Sequence, residues 1–192
     1  MKLLTLLLLF LFSQNIYAQL TTRVVWTNDG ATPAIDVIYH DINKNLDWNN
    51  FSGKPPTDNG VTAALTVSGF GYSANIKTVN GKGQLNIQVY CYFNKNKSWV
   101  KPGRNTAYIL SHEQHHFDIS YICAAIFVDK LRGTVFNNAN YSTRLPEIYN
   151  ESCDIMNKMQ NDYDGQTKNG QVKAEQARWN ALIVEKIRAA TR

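Results

Sequence analysis

The stretch of this chain best equipped for chemistry is Ser111-His112-Glu113-Gln114-His115-His116-Phe117-Asp118, in which His112, Glu113 and His116 form an H-E-x-x-H pattern. An α-helix turns by about 100° per residue, so positions four apart stand about 40° apart around its axis and about 6 Å along it. His112 and His116 therefore leave the same face, close enough for both rings to reach one ion. Neutral imidazole suits Zn²⁺, and two such ligands need only a third from elsewhere to leave a coordination position for water. Glu113, beside the first ring, stands where a general base for that water belongs.

A competing reading makes these histidines polar residues on a helix surface. The chain has four histidines in all, and three of them fall within five positions, His40 being the fourth. The flanks are apolar as well: Tyr108, Ile109 and Leu110 precede the motif, and Ile119, Tyr121, Ile122, Cys123, Ile126, Phe127 and Leu131 follow it. A helix apolar almost all round lies in a core, where ring nitrogens need partners. The metal reading is therefore preferred.

The elements that must position this helix divide the chain into a β half and an α half. Residues 1–18 read as a signal peptide, with Lys2 as the positive end, an apolar run over residues 3–12 and Ile16-Tyr17-Ala18 as a small-residue cleavage site. Ten apolar residues fall short of the roughly 20 that span a bilayer. The expectation is an exported chain, periplasmic or secreted, that keeps no stable membrane span after cleavage. Residues 19–192 then form one domain, mainly β over 19–102 and mainly α over 103–192.

In the β half, residues 23–27 and 35–40 are short β-branched runs bounded by turn residues. Leu85, Ile87, Val89, Cys91 and Phe93 alternate with Gln84, Asn86, Gln88, Tyr90 and Tyr92, the period of a strand with one buried face. Residues 61–76 are strand-like, with Gly69 and Gly71 breaking the phase as a bulge would. Asn80-Gly81 signals a hairpin. Tyr72, Tyr90, Tyr92 and Phe93 are expected to pack the sheet rather than form a ligand platform. The segment 46–56 reads as an irregular turn in which Trp48 and Phe51 plug the core.

In the α half, Asn105 or Thr106 caps the motif helix, which runs to about Arg132 with Gly133 as its stop. A second helix covers residues 143–163, with Pro146 in its first turn. A third covers 171–190, and a polar turn over 162–170 joins them. The expected class is thus α+β: a mostly antiparallel N-terminal sheet, then a helical part carrying the H-E-x-x-H helix in a zincin-like arrangement.

Composition narrows the function classes. The formal charge is +5, or +4 once Lys2 is removed with the leader, and lysines and arginines are scattered without a run. Such a surface is solvated and gives no footprint for nucleic acid. Cys91, Cys123 and Cys153 are too few for a disulfide framework. A Cys123–Cys153 bridge between two helices is one expectation, and three buried free thiols the other.

Three ordered motifs carry a family resemblance: Leu46-x-Trp48-x-x-Phe51-x-Gly53-x-Pro55, then His112-Glu113-Gln114-x-His116-Phe117-Asp118, then Tyr163-Asp164-x-x-Thr167-x-x-Gly170 with Gln176 and Trp179 following. In these the chain resembles a bacterial family of exported proteins predicted to be zinc-dependent proteases, the domain of unknown function 922. The resemblance implies export, the same fold and a metal-dependent hydrolase. It also marks two departures, His115 in place of glycine and Asn169 in place of histidine. If that histidine were a ligand, its replacement would weaken the metal site.

Zinc accepts carboxylate oxygen as readily, so Asp164, in the family-like turn, is the first choice for third ligand. Glu151 and Asp118 are reserves. Asp118 lies about 200° round the helix from His116 and is better placed to orient an imidazole. His115 is expected at the surface or behind the ligands. Tyr121, Tyr163 and Arg178 are candidate oxyanion donors. The reaction expected is hydrolysis of peptide bonds by metal-activated water with Glu113 as general base, on peptide or protein substrates that include cell-wall peptides. The alternative is a non-catalytic envelope module with a degenerate or structural metal site, motivated by Asn169.

Overall fold

The computed structural model describes residues 19–27, 36–58 and 60–191. The leader expected over residues 1–18 lies outside the described residues, as does Ile35 of the second strand. The fold is α+β, a mixed sheet followed by three helices. Among the described residues six strands come first, β1 (Thr21–Trp26), β2 (Val37–Tyr39), β3 (Ala64–Leu65), β4 (Ser68–Val79), β5 (Lys82–Asn94) and β6 (Trp99–Val100). The helices are α1 (Ala107–Arg132), α2 (Tyr141–Thr167) and α3 (Lys173–Ala190).

Strand β5 is the spine of the main sheet. It pairs along its whole length with β4 in antiparallel register, and its other edge carries antiparallel β2 and parallel β1. The parallel β1 makes the sheet mixed. Leu85, Ile87, Val89, Cys91 and Phe93 are all buried on one face, as their alternation requires. Burying side chains of this size contributes about 1.5–3 kcal/mol each.

One detail of the β4–β5 pair differs from expectation. The register between β4 and β5 runs unbroken from Ser68↔Phe93 to Val79↔Lys82, so Gly69 and Gly71 make no bulge. They stand opposite Tyr92 and Tyr90, and a Cβ on Gly71 would lie 2.7 Å from the Tyr90 ring and hydroxyl. The glycines are therefore seats for cross-strand tyrosines. The hairpin at Asn80-Gly81 is as read, with φ of 51° and 75°, the positive pair of a two-residue type I′ turn.

The segment after β2 folds around a 3-10 turn, Trp48–Asn50, capped by Asp47. Leu46 and Phe51 enter the core and Trp48 packs against it. Gly53 closes the segment by donating its N–H to Ser98 O at 2.8 Å. A Cβ there would sit 2.7 Å from Ser98 O and 2.8 Å from Asn96 O, both backbone atoms. Gly53→Ala is expected to destabilise the fold by about 1–3 kcal/mol through overpacking, read as a lowered denaturant midpoint; an unchanged midpoint would count against this packing.

Helix α1 is the central element, touching β1, β4 and β5 as well as α2 and α3. Thr106 caps it by accepting from Ile109 N, and Gly133 ends it. Helix α2 is longer than the sequence suggested at both ends, which moves Pro146 beyond the first turn and extends the helix through Asp164 to Thr167. The link to α3 then runs over residues 168–172, of which Lys168, Asn169 and Gly170 have positive φ. All three cysteines are free, so the Cys123–Cys153 bridge is not formed. Cys91 and Cys123 are buried and behave as small core residues.

Candidate metal centre

The site lies where α1, α2 and α3 meet. Helix α1 presents His112 and His116 on one face, with ring centroids 5.0 Å apart. Helix α2 brings Asp164 against both: Asp164 Oδ1 is 3.2 Å from His112 Nε2 and 3.1 Å from His116 Nε2. These three residues could hold one metal ion. Ligand atoms at tetrahedral corners about 2.0–2.2 Å from zinc lie about 3.3–3.6 Å from one another, close to the two separations between Asp164 and the imidazoles. Two imidazoles and a carboxylate are also the donor chemistry that zinc takes.

Behind the donors lies a layer of polar contacts. Gln176, 2% exposed on α3, puts its Oε1 2.9 Å from His112 Nδ1. Gln160, one turn before Asp164 on α2, puts its Oε1 2.5 Å from His116 Nδ1 and donates to His116 O at 2.8 Å. Tyr163 is fully buried and stacks on the His112 ring at 4.6 Å. Its hydroxyl donates to His112 O and accepts from Gln176 Nε2. Gly170 passes so close that a Cβ would lie 3.3 Å from His112 Nδ1, and its φ of 78° is one that glycine adopts without strain.

The charges in the site adjust to one another. Burial pushes the Asp164 carboxyl upward, but hydrogen bonds from His112 and His116 outweigh it and hold the group far below the usual carboxylate range. Burial opposes a charge on His116, yet the Asp164 hydrogen bond and the Asp164 and Glu113 charges raise its pKa above the ordinary value. Burial raises the Tyr163 phenol well above its usual range, so this hydroxyl stays protonated.

Glu113 is 5% exposed, and its Oε2 is buried without a hydrogen-bond partner among the described residues. Its backbone carbonyl accepts from Thr66 Oγ1. An unpaired buried carboxylate oxygen is expensive, and such groups in native proteins usually serve a water, an ion or a reaction. In sequence Glu113 directly follows His112 on α1.

The other candidates lie elsewhere. Glu151 is paired with Lys130 and Arg144 at the surface. Asp118 is buried and accepts from His40 at 3.0 Å, His115 at 3.0 Å and Gln114 at 2.9 Å. It orients imidazoles, though not those of the cluster. Through this contact His115 is tied to Asp118 and lies behind the site. Asn169 is exposed in a left-handed conformation that asparagine tolerates better than most residues. Of the proposed oxyanion donors, Tyr163 has its hydroxyl engaged as described. Tyr121 stacks between His40 and Trp26, and Arg178 pairs with Glu175 and Gln166.

Gln160 was not singled out by sequence reasoning. Its signal was the repeated spacing: Gln160 and Asp164 are four apart on α2, as His112 and His116 are on α1, so one face of each helix meets the other. Gln176 stood in the resemblance motif with no role attached. Compared with family models, with curated proteins and with solved structures, the chain finds no match in any of the three.

Proposed function

We propose that the protein is an exported zinc-dependent metallopeptidase with a zincin-like site. The observation that carries this reading is the convergence of one ligand atom each from His112, His116 and Asp164 within 4.8 Å of one another, with Glu113, next to His112 in the chain, keeping a buried oxygen unpaired among the described residues. Zinc at such a site supplies Lewis acidity and makes water nucleophilic near neutral pH. In this reading His112, His116 and Asp164 hold the ion and Tyr163 supports the His112 ring from below. Glu113 takes a proton from the attacking water and returns it to the departing amine.

The substrate class is peptide or protein, cell-wall peptide crosslinks included. Export is supported by the charge and hydropathy pattern of residues 1–18, and among the described residues no helix is long and apolar enough to cross a membrane. The resemblance to the domain of unknown function 922 family rests on the quoted motifs and belongs to this proposal. The alternative of a non-catalytic module drew on Asn169, whose side chain is exposed; in the reading proposed here Asp164 supplies the third donor instead.

The test is hydrolysis of casein and of cell-wall peptides by the mature, zinc-reconstituted protein. Cleavage abolished by a chelator and restored by zinc is the expected outcome. A zinc-loaded protein that cleaves neither substrate class, at concentrations where a control metallopeptidase is saturating, would sink the reading.

A further inference from the structure

Resting on the metal reading above, we infer that Gln160 and Gln176 are positioning residues that decide which nitrogen of each histidine faces the ion. What each atom can donate or accept fixes the orientation of both amides. The carbonyl of His116 only accepts, so the Gln160 atom 2.8 Å from it is the amide nitrogen. The amide oxygen then faces His116 Nδ1. Because an amide oxygen also only accepts, Nδ1 must carry the hydrogen, which leaves Nε2 for the ion.

The same logic holds His112 through one further residue. His112 O only accepts, so the Tyr163 hydroxyl 3.3 Å away donates to it. That hydroxyl oxygen accepts from Gln176 Nε2 at 2.6 Å, and the remaining amide hydrogen goes to Asn180 Oδ1 at 2.8 Å. Gln176 Oε1 is thereby fixed against His112 Nδ1 at 2.9 Å. Each amide therefore grips the ring and the backbone carbonyl of one histidine, directly for His116 and through Tyr163 for His112.

Two consequences follow. With hydrogens fixed on both Nδ1 atoms, both Nε2 atoms point at the single oxygen of Asp164, and lone pairs facing a carboxylate require a cation or protons between them. A carboxylate, often found behind a metal-bound imidazole, would keep the acceptor of either amide but not its donor contact, because its second oxygen would face an acceptor.

The experiment uses the mature protein and three variants, with zinc as the probe. Gln160→Met is expected to weaken zinc binding by about 10–100-fold in chelator competition. Nitrogen-15 NMR of the same zinc-loaded variant should lose the slowly exchanging Nδ1–H signal of His116 while keeping that of His112. Gln176→Met should do the reverse. Since Gln176 is buried and this variant can fail to fold, the half-buried Gln160 carries the test. Gln160→Glu, which keeps the acceptor but loses the donor, should retain the His116 Nδ1–H signal with an affinity between wild type and Gln160→Met.

Wild-type affinity with both signals intact in Gln160→Met would overturn the inference. Failure of the metal reading is distinguishable: wild-type protein would then take up no zinc, and the Nδ1–H signals of the metal-free protein would still decide whether the amides act as described.

Discussion

Replacing Glu113 with glutamine is expected to leave zinc bound while lowering peptide hydrolysis by about 10²–10⁴-fold, the contribution of a positioned general base. Glutamine has nearly the same shape, and among the described residues Glu113 Oε2 has no hydrogen bond to lose. The backbone bond from Thr66 Oγ1 to Glu113 O is independent of the side chain. The buried Oε2, unpaired among the described residues, becomes an amide group, so the fold should be as stable or slightly more so. Metal analysis, a melting curve and the rate are measured on one preparation. Retained zinc with an unchanged rate would remove Glu113 from the mechanism, and a module without catalysis would show no rate to lose.

Replacing Asp164 with asparagine is the second large effect. Asparagine keeps an oxygen near both rings but removes the charge that complements the ion, and zinc affinity is expected to fall by more than about 100-fold, beyond what loss of a supporting contact causes. Glu151→Gln is the control, because its pairs with Lys130 and Arg144 lie at the surface. Equal effects of the two would mean that Asp164 is an ordinary surface acid.

Asp164→Asn also changes the metal-free protein in a pH-dependent way. Asp164 titrates lower in the folded state than unfolded, so its contribution is present above about pH 3.9 and is lost as the pH falls. His116 titrates higher when folded, so its contribution is complete below about pH 6.5 and is lost as the pH rises through the folded value. The pair therefore stabilises the metal-free fold most between about pH 4 and 6.5. Asparagine at position 164 should flatten that maximum in melting curves taken across the range.

How far the sequence discloses this arrangement depends on the distance over which each signal acts. Local patterns are legible: the alternation from Leu85 to Phe93 marks its buried face, Asn80-Gly81 its hairpin, and His112, Glu113 and His116 share a helix because spacing alone puts them there. Ends of elements are less so, because tertiary contacts carry α2 on through Asp164 to Thr167 where a polar composition suggests a turn. The glycines of β4 mislead for a related reason. Taken singly, Gly69 and Gly71 imitate a bulge, and only the register shows them lying under Tyr92 and Tyr90. The parallel pairing of β1 with β5 is likewise a matter of topology, on which a strand's own residues are silent.

Within the site, the hardest feature to read is the pair of amides. Glutamine is common on helix surfaces and carries no motif, so Gln160 and Gln176 acquire meaning only when α2 and α3 are laid against α1. Asp118 shows the opposite limit. Helical geometry makes it a reserve ligand at best and suggests an imidazole partner, but the identity of that partner, His40 from the β half, comes only from the fold.

The most direct measurement is the zinc content of the purified mature protein after reconstitution and dialysis, alongside His116→Ala prepared in the same way. The account expects one zinc per wild-type chain and none retained by the variant, with both proteins folded by circular dichroism. A folded wild-type protein that leaves dialysis without zinc, or a His116→Ala protein that keeps as much as wild type, would contradict it.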